Sequence, residues 1–196
     1  MNISRTLLFV AVSLSAIAMA QAPEIRKVTF GQGVVANQEA ERRAEFDYDM
    51  GKRRAQNNTI VNVGRFELNT PGPNNSRVKF VLEAPRELSS NGDNASFAGP
   101  GMMIVRTGNN TVRTPVRISV RVEDKWNPAG NGGNGEGEND PQRPRDTMSI
   151  RVIPAQPQGG DGGVEPQPIF QFTGKVVRGN LVVVNRPTTG TGGSNP

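Results

Sequence analysis

Apolar and polar residues alternate along most of this chain. In TVRTPVRISVRVED, Val112, Val116, Ile118, Val120 and Val122 fall on one face, while Arg113, Arg117, Ser119, Arg121 and Glu123 fall on the other. A period of two predicts a strand with one buried face. Pro115 cannot donate to a ladder, so the strand either begins after it or runs along a sheet edge there. AEFDYDM turns Ala44, Phe46, Tyr48 and Met50 one way, RVKFVLE does the same with Val78, Phe80 and Leu82, and RFEL pairs Phe66 with Leu68. FQFTGKV places Phe170 and Phe172 together, and NLVVV supplies a closing strand. Only NQEAERRAEF hints at a helical period, enough for one turn at most.

Turn-forming residues separate these segments at intervals that suit an antiparallel meander. They are NN before Thr59, PGPNNS before Arg77, SSNGDN after Leu88, TGNN before Thr111 and RGN before Leu181. Asn57, Asn74, Asn94 and Asn109 also stand in glycosylation sequons, but the tolerance of Asn for left-handed backbone explains their positions without a glycan.

The first twenty residues, MNISRTLLFVAVSLSAIAMA, have the form of a secretory signal peptide: one basic residue, an apolar run, then small residues around a cleavage point after Ala20. The apolar run is shorter than the roughly 20 residues that span a bilayer, which disfavours a retained anchor. The expected organisation is a signal peptide at 1–20, a single all-β domain at 21–186 and a disordered tail at 187–196. Within the domain, 131–145 reads as a loop insertion and 154–168 as a flexible Pro/Gly-rich connector. No membrane span is expected after signal cleavage.

Composition removes whole classes of chemistry. The chain has no His and no Cys, which excludes Ser-His-Asp and Cys-His nucleophiles, disulfide staples and the usual zinc and copper ligands. One Tyr and one Trp offer little for stacking sugars or bases, so nucleic acid is not an expected partner. The formal charge is +5, or +4 once Arg5 leaves with the leader. That mild excess leaves anionic cell-surface polymers and envelope proteins as candidate partners.

Three constellations could carry chemistry. The segment NGGNGEGENDPQRPRDT, residues 131–147, holds Glu136, Glu138, Asp140 and Asp146, with Glu123 and Asp124 just before it. Carboxylates in a Gly-rich loop suit Ca²⁺, yet the spacing fits neither an EF-hand nor a nonapeptide repeat, and Arg143 and Arg145 oppose a cation. The segment reads instead as an insertion held at its ends by side-chain bonds from Asp124 and Asp146 to the backbone. Arg113, Arg117 and Arg121 form a stripe that could grip an anionic polymer, although such a stripe is also an ordinary solvated strand face. Asp47 and Asp49 share a strand face pointing away from Phe46 and Tyr48, which is poor placement for a glycosidase pair. No catalytic, cofactor-binding or metal-binding residue is therefore assigned, and no cofactor is expected.

The order of the motifs resembles the small β domains that follow choice-of-anchor domains in secreted bacterial proteins, the post-COAP domains. The family's Gly-x-Gly turn before an Ala-x-Phe-x-aromatic strand falls on Gly31, Gly33, Ala44, Phe46 and Tyr48. Its middle pattern falls on Val122, Asp124, Pro128, Gly130, Asp146, Ile150 and Val152, and its close on Gly174, Val176, Gly179, Asn180, Leu181 and Val183. The likeness spans residues 28 to 184, but here Asn131 to Arg145 intervenes where the family has only a few residues. The resemblance implies fold and compartment and carries no catalytic residue. The expectation is an all-β antiparallel sandwich or small open barrel of about eight strands with long Gly/Pro-rich loops. Its expected role is non-catalytic, structural or adhesive, at the cell surface or in the extracellular matrix. A Ca²⁺-dependent binding domain and a carboxylate-based hydrolase are the alternatives.

Overall fold

The computed structural model describes residues 25–37, 42–55, 57–125, 145–155 and 166–184. Over these residues the chain forms nine antiparallel strands: β1 (Ile25–Ala36), β2 (Arg43–Arg54), β3 (Ile60–Pro71), β4 (Arg77–Leu82), β5 (Glu87–Asn91), β6 (Asn94–Thr107), β7 (Asn110–Glu123), β8 (Thr147–Pro154) and β9 (Phe170–Val183). The leader-like residues 1–20, the body of the 131–145 insertion, most of the 154–168 connector and the 187–196 tail lie outside the described residues. Of the short helical candidate at 37–46, residues 38–41 also lie outside them, while 43–46 open β2, because alternation of Ala44 and Phe46 toward the core makes them strand rather than helix.

All nine strands belong to one sheet in the order β4-β3-β2-β1-β9-β8-β7-β6-β5, and an additional β4–β6 pairing joins its two arms. One edge of β6 carries β5 along 94–98 and β4 along 102–106. The sheet therefore curls into a partly open barrel, with β5 filling the place along β6 that β4 does not reach. Pro100 sits in the gap between those two ladders, where a residue without an N–H interrupts no pairing on that edge.

The alternation read from the sequence sets the inside of this barrel. Ala44, Phe46, Tyr48 and Met50 of β2, Phe66 and Leu68 of β3, Phe80 and Leu82 of β4, and Val116, Ile118, Val120 and Val122 of β7 are all buried in one core. Val112 lies exposed near the start of β7. Pro115 is within β7, one residue beyond the last β7–β8 pair, Val116 with Pro154, so the edge expectation was the right one. Outward positions such as Asp47, Asp49, Arg113 and Arg121 are charged and exposed, the reverse of the apolar outer band of a lipid-embedded barrel.

The Asn- and Gly-rich turns close as expected: Asn58, Asn74, Asn75, Gly92 and Gly108 all take positive φ. Two expected turns are not turns. Arg178-Gly179-Asn180 lies inside β9, which joins the two segments expected to be separate strands. Gly31-Gln32-Gly33 lies inside β1. Both belong to the β1–β9 seam, where Gly33 pairs with Gly179 and the register shifts after Val34. The glycines there permit close backbone approach rather than a reversal of direction.

At one end of the core lies a buried polar cluster. The Asp124 carboxylate accepts a hydrogen bond from Val183 N at 3.0 Å, and Lys125 N donates to Asp146 Oδ1 at 3.0 Å. Backbone bonds run from Asp124 N to Asp93 O and from Val176 N to Asp146 O. The two aspartates thus tie the ends of β7 and β8 to β9 and to the β5–β6 turn, as expected of the insertion's two ends. Asp124→Ala should cost about 2–3 kcal/mol in a urea titration, because the buried Val183 N–H loses its acceptor. Asp124→Asn, which keeps an acceptor oxygen, should cost less.

Tyr48 belongs to the same cluster. The Thr29 hydroxyl donates its one hydrogen to Val182 O at 2.8 Å, so in the 3.1 Å contact between the two hydroxyls Tyr48 is the donor. Burial above all, aided by the charges of Asp146 and Asp124, pushes the phenol well above its ordinary value of 10.0. The folded state then holds a proton that the unfolded chain gives up above about pH 10, so stability falls as pH rises through that point. The loss should approach about 1.4 kcal/mol per pH unit. Comparing denaturation at about pH 9 and about pH 11 checks this, since Tyr48→Phe should flatten the alkaline slope.

Candidate anion-binding groove

Ion pairs are scattered over the barrel's outer face. Lys27 Nζ meets Asp49 Oδ2 at 2.8 Å, Lys79 Nζ meets Glu67 Oε2 at 2.6 Å and Lys125 Nζ meets Glu123 Oε2 at 3.2 Å. Arg65 also reaches Glu67, and Arg117 reaches Glu87. Such exposed pairs add little stability, on the order of 0–1 kcal/mol each.

One region gathers cations with little acid among them. A groove of about 1130 Å³ runs over the outer wall and is rimmed by Arg43, Arg77, Lys79, Arg106 and Arg178, with Glu45 as its one acid. Alternation explains why they gather there. Arg43 and Glu45 flank the inward Ala44 on β2, Arg77 and Lys79 flank Val78 on β4, and Arg178 pairs with the outward Val34 across the β1–β9 seam. Arg77 stands directly opposite Arg106 in the β4–β6 ladder. Like charges in directly opposed positions destabilise a strand pair. Among the described residues, Arg43, Arg77, Arg106 and Arg178 make no ion pair. Asn69, Thr70, Asn75 and Ser76 supply polar groups along the same groove.

A second, smaller groove of about 390 Å³ lies over β5 to β9 and is lined by Ser96, Ser119, Arg121, Ser149, Arg151 and Thr173, among others, with Glu87 as its one acid. Its hydroxyls form cross-strand rows, with Ser149 and Thr173 bonded at 3.0 Å. Arg121 of the sequence-read stripe falls in this groove, Arg117 is held by Glu87, and Arg113 stands exposed opposite Ile104.

The remaining sequence candidates are dispersed. Asp47 and Asp49 stand exposed on the outer face of β2, with Asp49 joined to Lys27. Of the loop acids, Glu136, Glu138 and Asp140 lie outside the described residues. Asp124 and Asp146 are buried and bonded to backbone, and Glu123 is bonded to Thr147 and Lys125. Among the described residues no three potential oxygen ligands gather into a metal site.

Comparison of the chain with protein-family models, with curated proteins and with solved structures found no match. The likeness to post-COAP domains therefore rests on the motifs themselves, and the groove is read from its own chemistry.

Proposed function

We propose that this protein is a secreted, non-catalytic β domain with a structural or adhesive role at the cell surface or in the extracellular matrix, and that it works by holding anionic polymers in the basic groove. The leader-like first twenty residues support secretion. The observation that carries the binding role is the unrelieved opposition of Arg77 and Arg106, with Arg43 and Arg178 beside them in one groove that holds a single acid. A fold under selection for stability alone would place an acid opposite one of these arginines; a site for an oxyanion would not. Arg is well suited to the task, because its planar fork meets a carboxylate through two parallel hydrogen bonds.

The test is cosedimentation with polygalacturonate over a salt series. Arg77→Gln with Arg106→Gln should weaken binding ~tenfold at low salt while leaving the melting temperature equal to or above that of the parent. Binding by the parent should fall as salt rises. Salt-insensitive binding, or a double variant that binds like the parent, would falsify the assignment.

A further inference from the structure

We infer that the ligand is an extended acidic polysaccharide that lies across both grooves, following a cationic track along β7. This rests on the basic groove being an anion site and goes beyond it in naming the length and class of the ligand.

The track follows from strand register. Lys79 of β4 pairs with Ile104 of β6, and Ile104 pairs in turn with Arg113 of β7. Ile104 itself lines the basic groove, so Arg113 adjoins its rim. From Arg113 the outward positions of β7 lead through Arg117 to Arg121, roughly 27 Å at ~3.4 Å per residue. There Arg121 pairs with Ser149, and its diagonal neighbour Arg151 pairs with Ser119. Arg121 and Arg151 thus rise among small hydroxyl-bearing residues, which is what leaves the smaller groove open between them. Glu87 lines the smaller groove and is ion-paired with Arg117, and an exposed pair of this kind yields readily to an incoming carboxylate.

Two features favour a polysaccharide over a nucleic acid. Hydroxyl and amide side chains line both grooves: Asn69, Thr70 and Asn75 in one, Ser119, Ser149 and Gln171 in the other. These suit the many hydroxyls of a sugar chain. Single-stranded nucleic acid instead needs exposed aromatic faces on which bases stack. Phe97 is the one aromatic residue lining either groove, and it is buried.

The experiment titrates the full chain at low salt with a tetramer and a dodecamer of galacturonate, and with oligo-dT of matched charge. The dodecamer should bind at least ~tenfold tighter than the tetramer, because it joins two sites through one ligand. Arg121→Gln with Arg151→Gln should abolish that advantage and leave tetramer affinity unchanged. Arg121→Gln alone, checked by its melting temperature, serves if the double variant is unstable, and it should reduce the advantage. Arg77→Gln with Arg106→Gln should weaken both ligands. A length advantage that survives loss of Arg121 overturns the track but leaves the basic groove standing. Failure of both oligomers to bind overturns both readings. Binding of oligo-dT as tight as that of the dodecamer overturns the polysaccharide assignment.

Discussion

Gly179→Ala is expected to destabilise the barrel by about 4 kcal/mol or more, a substantial share of the 5–15 kcal/mol that holds a typical domain together. Gly179 sits at φ +93, and an added Cβ would lie 2.1 Å from Gln32 O and 2.6 Å from Gly33 Cα. Both obstacles are backbone, so no side-chain rotation relieves the clash. Across the seam the geometry is reciprocal, since a Cβ on Gly33 would lie 2.1 Å from Arg178 O. The two glycines let β1 and β9 approach more closely than any side chain permits. Gly92→Ala provides the comparison: its φ is +56, but nothing lies within 4 Å of the added atom. That substitution should cost only the left-handed strain, about 1–2 kcal/mol. Urea titration of the two variants decides the matter, and similar midpoints would show that the seam can relax.

Phe97→Ala should cost about 3–5 kcal/mol, the range for deleting a large aromatic from a closed core. Phe97 is only 1% exposed, and its ring centroid lies 5.5 Å from Tyr48 and 5.6 Å from Phe66. It thus joins β6 to the rings of β2 and β3 through the barrel interior. Phe170, partly buried at the start of β9, should lose less on the same substitution. Equal losses at the two positions would contradict a core centred on the Phe97 cluster. The slope of the urea titration should be unchanged for Phe97→Ala, marking a loss of packing rather than of cooperativity.

The sequence revealed those strands whose apolar residues fall at every second position without a break. β2, β4 and β7 are of this kind, because each presents its core residues from regular backbone. β6 was not legible, since its inward row reads Ala95, Phe97, Gly99, Gly101, Met103, with two glycines at its centre and Pro100 between them on the outward face. Its glycines are needed where other backbone crowds it: a Cβ on Gly99 would lie 2.7 Å from Ala84 O, and one on Gly101 2.6 Å from Val81 O. The same closeness turned Gly31, Gly33 and Gly179 into false turn signals. Propensity reads a glycine as a bend, and only strand pairing shows it to be a place of contact. The basic groove was hidden for a different reason. Arg43, Arg77, Arg106 and Arg178 lie on four strands far apart in sequence, and each alone looks like an ordinary solvated residue. The stripe on β7 was visible because one strand carries it, whereas Arg77 and Arg106 meet only through the β4–β6 register.

The β1–β9 seam also bears on how the chain reaches this structure. Thr29 pairs with Val183, so the first strand finds a partner in the last. Pairings of such high contact order incur the loop-closure entropy of almost the whole domain before they return any energy, and they slow folding. Until β9 is available, β1 and β8 each present an unpaired edge, and Asp124 lacks the Val183 amide that it receives in the finished barrel. A chain truncated before Phe170 would hence expose two open edges of the kind that recruit other strands, and completing the C-terminal strand is the step that turns an adhesive intermediate into a closed wall.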